Sequence, residues 1–310
     1  MGNELKILYR GPLSSCNYGC PYCPFAKRHE TAKELKHDAA CLARFAGWIK
    51  LNNERDLGIL ITPWGEALTR RWYRETMVEL SHLSHVSRIA VQTNLSIAPD
   101  WLDPANRDSI ALWCTYHPGE VERDKFLANC HRMDQLGIRY SVGVVGLKEH
   151  AEEIEVLRSE LDPSVYLWIN AYKREKQYYS DQLIEQFTDT DRLFPINNQY
   201  HNSKGMHCNT GHTVISVAGD GSIRRCHFID EFIGNLYEDD LSSILSPSPC
   251  TNETCGCHIG YVHMPHLKMS EVFGQGLLER IPEPAQASDS FPTGNSENAL
   301  RTGEKAQVAE

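Results

Sequence analysis

Short apolar runs alternate with longer stretches of helical periodicity over the first half of the chain. In the first helical stretch, apolar side chains recur at the spacing of one face of an amphipathic helix; they are Leu35, Ala39, Leu42, Phe45, Trp48 and Ile49. The apolar runs predict strands at residues 6–9, 57–61, 88–92, 109–115, 139–145 and 165–170, and the periodic stretches predict helices near 32–51, 70–82, 120–136 and 149–161. Strands that alternate with helices favour a parallel sheet with right-handed crossovers, and therefore an α/β fold.

The last third of the chain has a different pattern. Residues 213–217 and 222–226 predict two short strands joined by a turn at Gly219-Asp220-Gly221, where glycine supplies a positive φ. Beyond His266 the pattern is lost, and the end of the chain is rich in Pro, Ser, Glu and Ala, a composition typical of disorder. We therefore expect a main domain over residues 1–200, a small cysteine-rich module over 201–270 and a disordered tail over 271–310.

Composition limits the possible functions. An apolar share of 41% is enough for a core, and a net charge of −10 disfavours binding to a phosphate backbone. No run of 18 apolar residues would span a membrane, and the first residues lack the apolar segment of a signal peptide. Eleven cysteines without an export signal indicate metal or redox chemistry. We expect a cytoplasmic protein that binds neither membrane nor nucleic acid.

Three of these cysteines, Cys16, Cys20 and Cys23, lie in the run Ser-Cys-Asn-Tyr-Gly-Cys-Pro-Tyr-Cys-Pro directly after the first predicted strand. Three thiolates on one loop can hold three irons of a four-iron cluster, whereas an electron-transfer cluster normally has four cysteines. The incomplete set leaves a position where a substrate or cofactor can bind, as at a catalytic zinc.

Two other interpretations fit the same loop. Cys20-Pro-Tyr-Cys23 followed by Lys27 and Arg28 is also typical of a glutaredoxin, whose thiol pKa is lowered by a helix N-terminus and cations. A glutaredoxin has no use for Cys16, however, and this chain is too long for that fold alone. A zinc site would need a distant fourth ligand.

The spacing C-x3-C-x2-C, with an aromatic residue between the last two cysteines, resembles that of the radical S-adenosylmethionine (radical SAM) enzymes. The resemblance implies an open partial (β/α)6 TIM-like barrel with a [4Fe-4S] cluster on Cys16, Cys20 and Cys23, which are then the catalytic cysteines. It also implies that the reduced cluster splits SAM into methionine and a 5′-deoxyadenosyl radical, which abstracts hydrogen from a substrate. A reductant such as flavodoxin or ferredoxin would supply the electron.

The loop after the second strand, Thr62-Pro-Trp-Gly65-Glu66-Ala67, partly matches the family's Gly-Gly-Glu-Pro-like segment. The resemblance implies that Gly65 and Glu66 bind the amino group of SAM. Trp64 and Ala67 depart from the family pattern. A Gly-Glu pair in isolation often does no more than supply an acidic first turn to a helix.

Polar residues at other strand ends are further candidates. Asn94 follows the third strand and is either a ligand of the SAM ribose or carboxylate, or a cap or turn residue. The resemblance places Thr115 toward the ribose and Tyr22 near the adenine. His117 is a candidate substrate contact, or else the start of the turn set by Pro118 and Gly119.

The C-terminal third contains a second set of cysteines. The predicted hairpin brings Cys208 and Cys226 together, and Cys250-x4-Cys255-Gly-Cys257 follows. The spacing C-x12-G-x4-C followed by Gly-Asn resembles the opening of the auxiliary-cluster extension called SPASM, in its abbreviated twitch form. This implies a second [4Fe-4S] cluster on Cys208, Cys226, Cys255 and Cys257, with Cys250 in reserve. A zinc knuckle is the alternative, with nearby histidines at His207, His212, His227 and His258.

Many relatives with such extensions modify ribosomally made peptides, so a peptide or protein substrate is the first hypothesis. A radical SAM enzyme for a small metabolite is the alternative within the class. Outside it, the competing hypothesis is a thiol–disulfide oxidoreductase with a structural zinc module. We assign no chemical role to Cys41, Cys114 and Cys130, because buried cysteines commonly serve as small apolar residues.

Overall fold

The computed structural model describes residues 4–25 and 28–283. Six parallel strands lie side by side in chain order, which confirms the predicted partial (β/α)6 barrel. These strands are β1 (Glu4–Arg10), β2 (Asp56–Ile61), β3 (Val86–Thr93), β4 (Ile110–Tyr116), β5 (Arg139–Gly146) and β6 (Leu167–Ala171). The helices between them are α1 (Ala32–Leu51), α2 (Arg71–Ser81), α3 (Arg123–Leu136) and α4 (Ala151–Glu160).

Local sequence explains where two of these helices begin and end. Thr31 caps α1, because its side chain accepts a hydrogen bond from the Glu34 amide while the Glu34 carboxylate accepts one from the Thr31 amide. This reciprocal pair satisfies two of the amides that a helix start leaves without partners. Helix α3 ends at Gly137, whose φ of 67° closes the last turn.

The rest of the chain consists of short elements. They are α5 (Asp181–Thr190), α6 (Phe194–Asn197), β7 (His201–Asn202), β8 (His207–Cys208), β9 (Val214–Ala218), β10 (Ser222–Cys226), β11 (Ile229–Asn235), α7 (Leu241–Ile244), β12 (Ser248–Pro249), β13 (Thr254–Cys255), α8 (His258–Tyr261) and α9 (Met269–Phe273). The predicted hairpin is present as β9 and β10.

This hairpin is part of the barrel sheet. Strand β9 pairs in parallel with β1, with Lys6 opposite Val214, so the sheet has nine strands in the order β11-β10-β9-β1-β2-β3-β4-β5-β6. The hairpin of the cysteine-rich region therefore extends the main sheet, with β9 directly beside the strand that leads into the Cys16 loop.

The inner face of the barrel is packed against the C-terminal segment. Inward side chains of successive strands contact apolar residues from positions 259–278; the strand residues are Leu8, Leu60, Ala90, Trp113 and Trp168. The Trp168 indole lies across Gly143 on the neighbouring strand, where a Cβ atom would overlap it. Glycine at that position is what makes room for tryptophan inside the barrel.

The prediction of a disordered tail over residues 271–310 is wrong for residues 271–283, which are folded. Phe273 is fully buried, and Glu279 forms ion pairs with Arg88 of β3 at 3.1 Å and with Arg139 of β5 at 3.2 Å. Arg280 is 1% exposed and stacks its guanidinium on Trp168 at 4.3 Å. The segment folds because its few apolar and charged side chains find partners inside the barrel, which periodicity does not reveal. Residues 284–310 of the predicted tail lie outside the described residues.

None of the helices in residues 4–25 and 28–283 has the length and apolar character needed to cross a bilayer.

Candidate active site

The loop that bears Cys16, Cys20 and Cys23 begins where β1 ends, at the carboxyl edge of the parallel strands. Cys20 is buried, Cys16 and Cys23 are half-buried, and the Cys23 amide donates to the Cys20 carbonyl at 3.1 Å. The Cys16 sulfur accepts from the Tyr18 amide at 3.4 Å. In barrels of this type, loops at the carboxyl ends of strands build the active site.

The electrostatics of the loop do not match a glutaredoxin. The pKa of the Cys20 thiol is raised to about 11, mainly by burial and to a smaller extent by the charges of Glu120 and Cys23. Nucleophilic thiols of redox enzymes have lowered pKa values and often lie at a helix N-terminus, whereas α1 begins only at Ala32. Lys27, part of the glutaredoxin-like interpretation, lies outside the described residues.

The loop after β2 is pressed against the cysteine loop. The Glu66 amide donates to the Ser15 carbonyl at 2.9 Å, and the Gly65 amide donates to the Leu13 carbonyl at 3.2 Å. A Cβ atom at Gly65 would overlap the Ser15 carbonyl oxygen. Gly65 is therefore required for the close approach of these two backbones, a role that the sequence motif did not reveal.

The Glu66 carboxylate lies beneath the cysteine loop and organises the end of β3. It accepts hydrogen bonds from the Leu68 amide at 3.1 Å, the Thr93 hydroxyl at 2.8 Å and the Asn94 amide at 2.7 Å. Burial raises the pKa of Glu66 to about 7, although these three donors act in the opposite direction. The Glu66 carboxylate thus links the loop after β2 to Asn94, whose side chain contacts Cys16.

Asn94 is a turn residue whose side chain also contacts the cysteine loop. Its side-chain oxygen accepts from the Ser96 amide at 3.0 Å, which makes it a turn residue. Its side-chain nitrogen donates to the Asn17 side chain at 3.0 Å and approaches the Cys16 sulfur at 3.6 Å. An amide that donates toward a cysteine sulfur suits a thiolate that carries a metal, since hydrogen bonds to the ligand tune such a site.

His117 joins the cysteine loop to the end of β4. Its Nδ1 lies 2.9 Å from the Tyr22 hydroxyl and 3.5 Å from the Cys20 sulfur. Burial lowers the pKa of His117 to about 4, with a smaller contribution from His150, so the ring is neutral near pH 7. Thr115, half-buried, shares the inner face of β4 with Trp113, because side chains alternate along a strand.

Two residues of this site were missed by the sequence analysis. The Glu120 carboxylate accepts from the Gly19 amide at 2.9 Å, and the His150 ring packs edge-on against Tyr22 with centroids 5.8 Å apart. Both follow the ends of strands, β4 and β5, and position at a strand end was the property that could have identified them.

The second set of cysteines surrounds a cavity of about 440 Å³ next to the first set. Pro24, which follows Cys23, lies on its wall together with Asn170 and Lys173 at the end of β6. Five cysteines line it: Cys208, Cys226, Cys250, Cys255 and Cys257. The structure thus brings together all of the cysteines that the sequence analysis assigned to this region.

Short ladders hold this second set in place. Cys208 on β8 lies opposite Ser248 on β12, and Cys255 on β13 lies opposite His201 on β7. Cys226 ends β10, and its sulfur accepts from the Phe228 amide at 3.4 Å. In the part of the chain that the structure describes, no three His, Cys, Asp or Glu side chains converge closely enough to hold a single metal ion. The sulfurs instead line a space large enough for a multi-iron group.

The histidines considered for a zinc knuckle lie in different surroundings. His227 pairs through Nδ1 with the Ser216 hydroxyl, and His258 lies 3.3 Å from the Tyr261 hydroxyl. His207 is exposed on β8, and His212 is half-buried in the turn before β9. None of the four lines the cavity that the five cysteines share.

No protein-family model matches this chain, and no curated protein matches it. Solved structures do. A structure of anSMEcpe with bound AdoMet, which is S-adenosylmethionine, is 15% identical and covers 89% of this chain and 85% of that chain at a TM-score of 0.53. A structure of anSMEcpe with bound AdoMet and a Cp18Cys peptide is 16% identical and covers 89% and 88% at a TM-score of 0.52. The likeness shows the fold alone, a partial TIM-like barrel.

Proposed function

We propose that the protein is a radical SAM enzyme whose open four-iron cluster is held by Cys16, Cys20 and Cys23. The observation that supports this most directly is the position of the three thiols, on one loop at the carboxyl edge of the barrel, in contact with Asn94 and His117. When bound, the reduced cluster supplies the electron that splits SAM, and the resulting 5′-deoxyadenosyl radical abstracts a hydrogen atom from the substrate.

The surrounding side chains would orient SAM. Glu66 has an oxygen with a remaining lone pair for the SAM ammonium group, because among the described residues the Asn94 amide is the one donor to its Oε2. Asn94 would bind the SAM ribose or carboxylate, Thr115 would bind the ribose, and Tyr22 would pack near the adenine. The protein's contribution is placement and exclusion of water, since the cofactors supply the difficult chemistry.

A second four-iron cluster is proposed for the cavity lined by the C-terminal cysteines. The fit rests on the donor set, because cysteine sulfur is the usual ligand of iron–sulfur clusters, and on a cavity with more than four such sulfurs on its wall. This assigns the region after β8 to a twitch-like module that shares the sheet of the barrel. A reductant such as flavodoxin or ferredoxin, in the cytoplasm, is the proposed electron source.

The proposed substrate is a peptide or a protein. Large apolar side chains are exposed around the cavity and the cysteine loop; they are Phe25 (45% exposed), Trp64 (40%), Tyr200 (59%) and Phe228 (42%). Exposed apolar residues grouped in this way mark binding surfaces. Structures of anSMEcpe, which have the same fold, contain a bound peptide. A small metabolite is the alternative substrate class.

Formation of 5′-deoxyadenosine from SAM tests the proposed chemistry. Protein reconstituted with iron and sulfide and then reduced should release 5′-deoxyadenosine, at a slow rate when substrate is absent. Cys16→Ala, Cys20→Ala and Cys23→Ala should each abolish release. Cys41→Ala is the matched control, because Cys41 is buried in α1 away from the loop and should leave the rate unchanged.

A different pattern would contradict the proposal. A thiol–disulfide oxidoreductase would depend on Cys20 and Cys23 and would tolerate Cys16→Ala. If Cys16→Ala retained wild-type activity in a thiol-exchange assay while the reconstituted wild-type protein released no 5′-deoxyadenosine, the radical chemistry would be excluded.

A further inference from the structure

Another cavity, of about 390 Å³, lies at the carboxyl edge of the barrel on the β9 side of the cysteine loop. Gly11 and Pro12, which open that loop, form part of its wall. His227 lines this cavity, whereas its chain neighbours Cys226 and Phe228 line the cavity of the proposed second cluster. The chain at His227 therefore separates two cavities, and the chemistry proposed above assigns no ligand to this one.

Strand pairing places part of the cavity wall on the inner face of the barrel. Strand β1 pairs in parallel with β9, and Arg10 lies opposite Ala218. Leu8, opposite Ser216, points into the barrel. Side chains two residues apart share a face of a strand, so Arg10 points to the same side as Leu8. Arg10, Ser216 and Ala218 all line the cavity, at the edge where barrels of this type bind their substrates.

The Arg10 guanidinium is oriented by a ring and still has a donor to offer. Its Cζ lies 3.8 Å from the centre of the Trp64 ring, a cation–π contact that fixes the side chain. Its Nε is buried and has no hydrogen-bond partner among the described residues. Because an arginine side chain only donates, the group that satisfies Nε must be an acceptor. A carboxylate matches a guanidinium in both charge and bidentate geometry.

His227 contributes a second buried nitrogen to the same cavity. Its Nδ1 pairs with the Ser216 hydroxyl, whereas its Nε2 has no partner within residues 4–25 and 28–283. When the Ser216 hydroxyl donates to Nδ1, the neutral ring carries its proton on Nε2 and can donate there. Native proteins leave few buried polar groups unsatisfied. Two such groups on the wall of one cavity therefore indicate a ligand with acceptor atoms.

The other charged groups of this cavity lie at its exposed rim. Asp220 is exposed, and its carboxylate accepts a hydrogen bond from the Ser222 amide at 2.9 Å. Arg224 is also exposed and pairs with Asp230 at 3.0 Å. Water and salt screen exposed charges, but they screen a partly buried one much less. The charge of Arg10 thus gives the interior of the cavity its preference for an anion.

We propose that this cavity binds a carboxylate of the peptide substrate, with Arg10 as its main partner. The inference rests on the proposed function, because Trp64, which lines the cavity and holds Arg10, belongs to the exposed apolar surface assigned to the peptide. A peptide that crosses Trp64 would place an acidic side chain or its terminal carboxylate over the cavity.

Isothermal titration calorimetry of the reconstituted protein with small probes tests the preference for a carboxylate. N-acetylphenylalanine offers a terminal carboxylate, N-acetylglutamate α-amide offers a side-chain carboxylate, and the amide of each offers none. At least one acid should bind, and its amide should bind about tenfold more weakly or less. The acid that binds more tightly identifies the source of the carboxylate. Equal affinity of acid and amide, or no saturable binding of either acid, would overturn the inference.

Variants of Arg10 locate the binding site. Arg10→Met should reduce the affinity for the acid by about tenfold or more. Arg44→Met is the matched control, because Arg44 also lies 3.8 Å over a ring, that of Tyr237, but is not among the described residues that line the cavity. Circular dichroism must show that the variants fold. If Arg10→Met misfolds, Arg10→Gln carries the same expectation. An equal loss of affinity in Arg44→Met would overturn the inference.

Competition separates this cavity from the SAM site. Saturating SAM should leave the affinity for the acid unchanged, because SAM is proposed to bind beside Glu66 and Asn94. Displacement of the acid by SAM would overturn the inference, and so would tighter binding of inorganic phosphate than of either acid. Carboxylate binding needs no turnover, so a failure of the proposed radical chemistry would appear separately, as a lack of 5′-deoxyadenosine release.

Discussion

At the scale of single residues, the site depends on a buried acid. Glu66 is 5% exposed, accepts three hydrogen bonds and has a pKa raised to about 7 by burial. A carboxylate kept inside a protein by hydrogen bonds rather than by a cation is costly when ionised. Such perturbed groups are enriched at functional sites, and here the acid touches the strand end that faces Cys16.

Glu66→Gln should weaken SAM binding and leave the first cluster intact. The amide keeps the shape and accepts from Leu68 and Thr93, but it removes the negative charge offered to the SAM ammonium group. A hydrogen bond to a charged group contributes about 1.5–3 kcal/mol, so affinity should fall by about tenfold or more. Equilibrium titration of reconstituted protein with SAM measures this, and unchanged affinity would remove Glu66 from the SAM site.

The same substitution should alter how stability depends on pH. Because the folded pKa of Glu66 is raised to about 7, the folded state holds a proton that the unfolded state, with a pKa of about 4.3, has released. The free energy of unfolding should therefore fall as pH rises through this window. Relative to Glu66→Gln, wild-type stability should fall by about 2 kcal/mol between about pH 5.5 and about pH 8. Urea unfolding of the two proteins at both pH values should show this; a difference independent of pH would contradict it.

The sequence located most of the candidate residues but not their contacts. Asn94 and His117 were identified because they follow strands, and the structure places each next to a cysteine of the loop. The role of Gly65 in backbone packing was not predictable, since it depends on how closely two loops approach in space. Glu120 and His150 were missed because each lies four residues beyond the end of its strand, and its contact with the cysteine loop exists only in three dimensions.

At the scale of elements, the contact between the loops after β1 and β2 sets the geometry of the cysteine loop. Gly65→Ala should destabilise this contact by about 2 kcal/mol, because the new methyl group overlaps the Ser15 carbonyl and forces the loops apart. It should also reduce the iron bound by the first set of cysteines. Iron content and urea unfolding measure the two effects.

Gly47→Ala is the matched control for that substitution. Gly47 lies within α1, and no atom is close to the position of its Cβ. Alanine there should stabilise the protein by about 0.4–1 kcal/mol, because it reduces the conformational entropy of the unfolded chain. It should leave the iron content unchanged. If both substitutions lowered iron content equally, the loop contact would not be the cause.

The C-terminal segment is held against the barrel by Glu279, which forms ion pairs with Arg88 and Arg139 near the amino-terminal ends of β3 and β5. Glu279→Ala should cost about 3 kcal/mol, because it leaves the buried Arg88 without its partner carboxylate. Glu271→Ala, on the exposed face of the same segment, should change stability by less than about 0.5 kcal/mol. Urea unfolding of both variants is the measurement, and equal effects would show that the ion pair of Glu279 makes no contribution of its own to stability.

The elements themselves were largely predictable. The six barrel strands and four helices begin and end close to the predicted residues, because apolar runs and helical periodicity are local properties. The parallel pairing of β9 with β1 was not foreseen, since it joins strands about two hundred residues apart in the chain. The buried segment after His266 escaped notice for a similar reason: its partners are the inner faces of strands from the other end of the sequence.

At the scale of the whole molecule, the sheet brings the second set of cysteines, which lines a cavity, next to the loop that bears the first set. The first set follows β1, and the second begins beside β9, the neighbour of β1. Pro24 and the C-terminal cysteines share the cavity wall. A substrate in this cavity would lie beside the second proposed cluster site and near Pro24, which follows Cys23 of the first, and this favours participation of the second site in substrate binding or electron transfer.

The number of irons in the whole molecule tests this arrangement. Reconstituted protein should hold about eight irons, because each set of cysteines supplies the thiolates of one four-iron cluster. Replacing Cys16, Cys20 and Cys23 together by alanine should leave about four irons and no EPR signal that responds to SAM, whereas Cys208→Ala combined with Cys226→Ala should leave about four irons with that signal retained. Circular dichroism must first show that the second variant folds, because a metal group often holds a small module together. A triple variant with one equivalent of zinc and no iron would make the C-terminal set a structural zinc site; the proposed radical chemistry at Cys16 would survive that result, and the proposed second cluster would not.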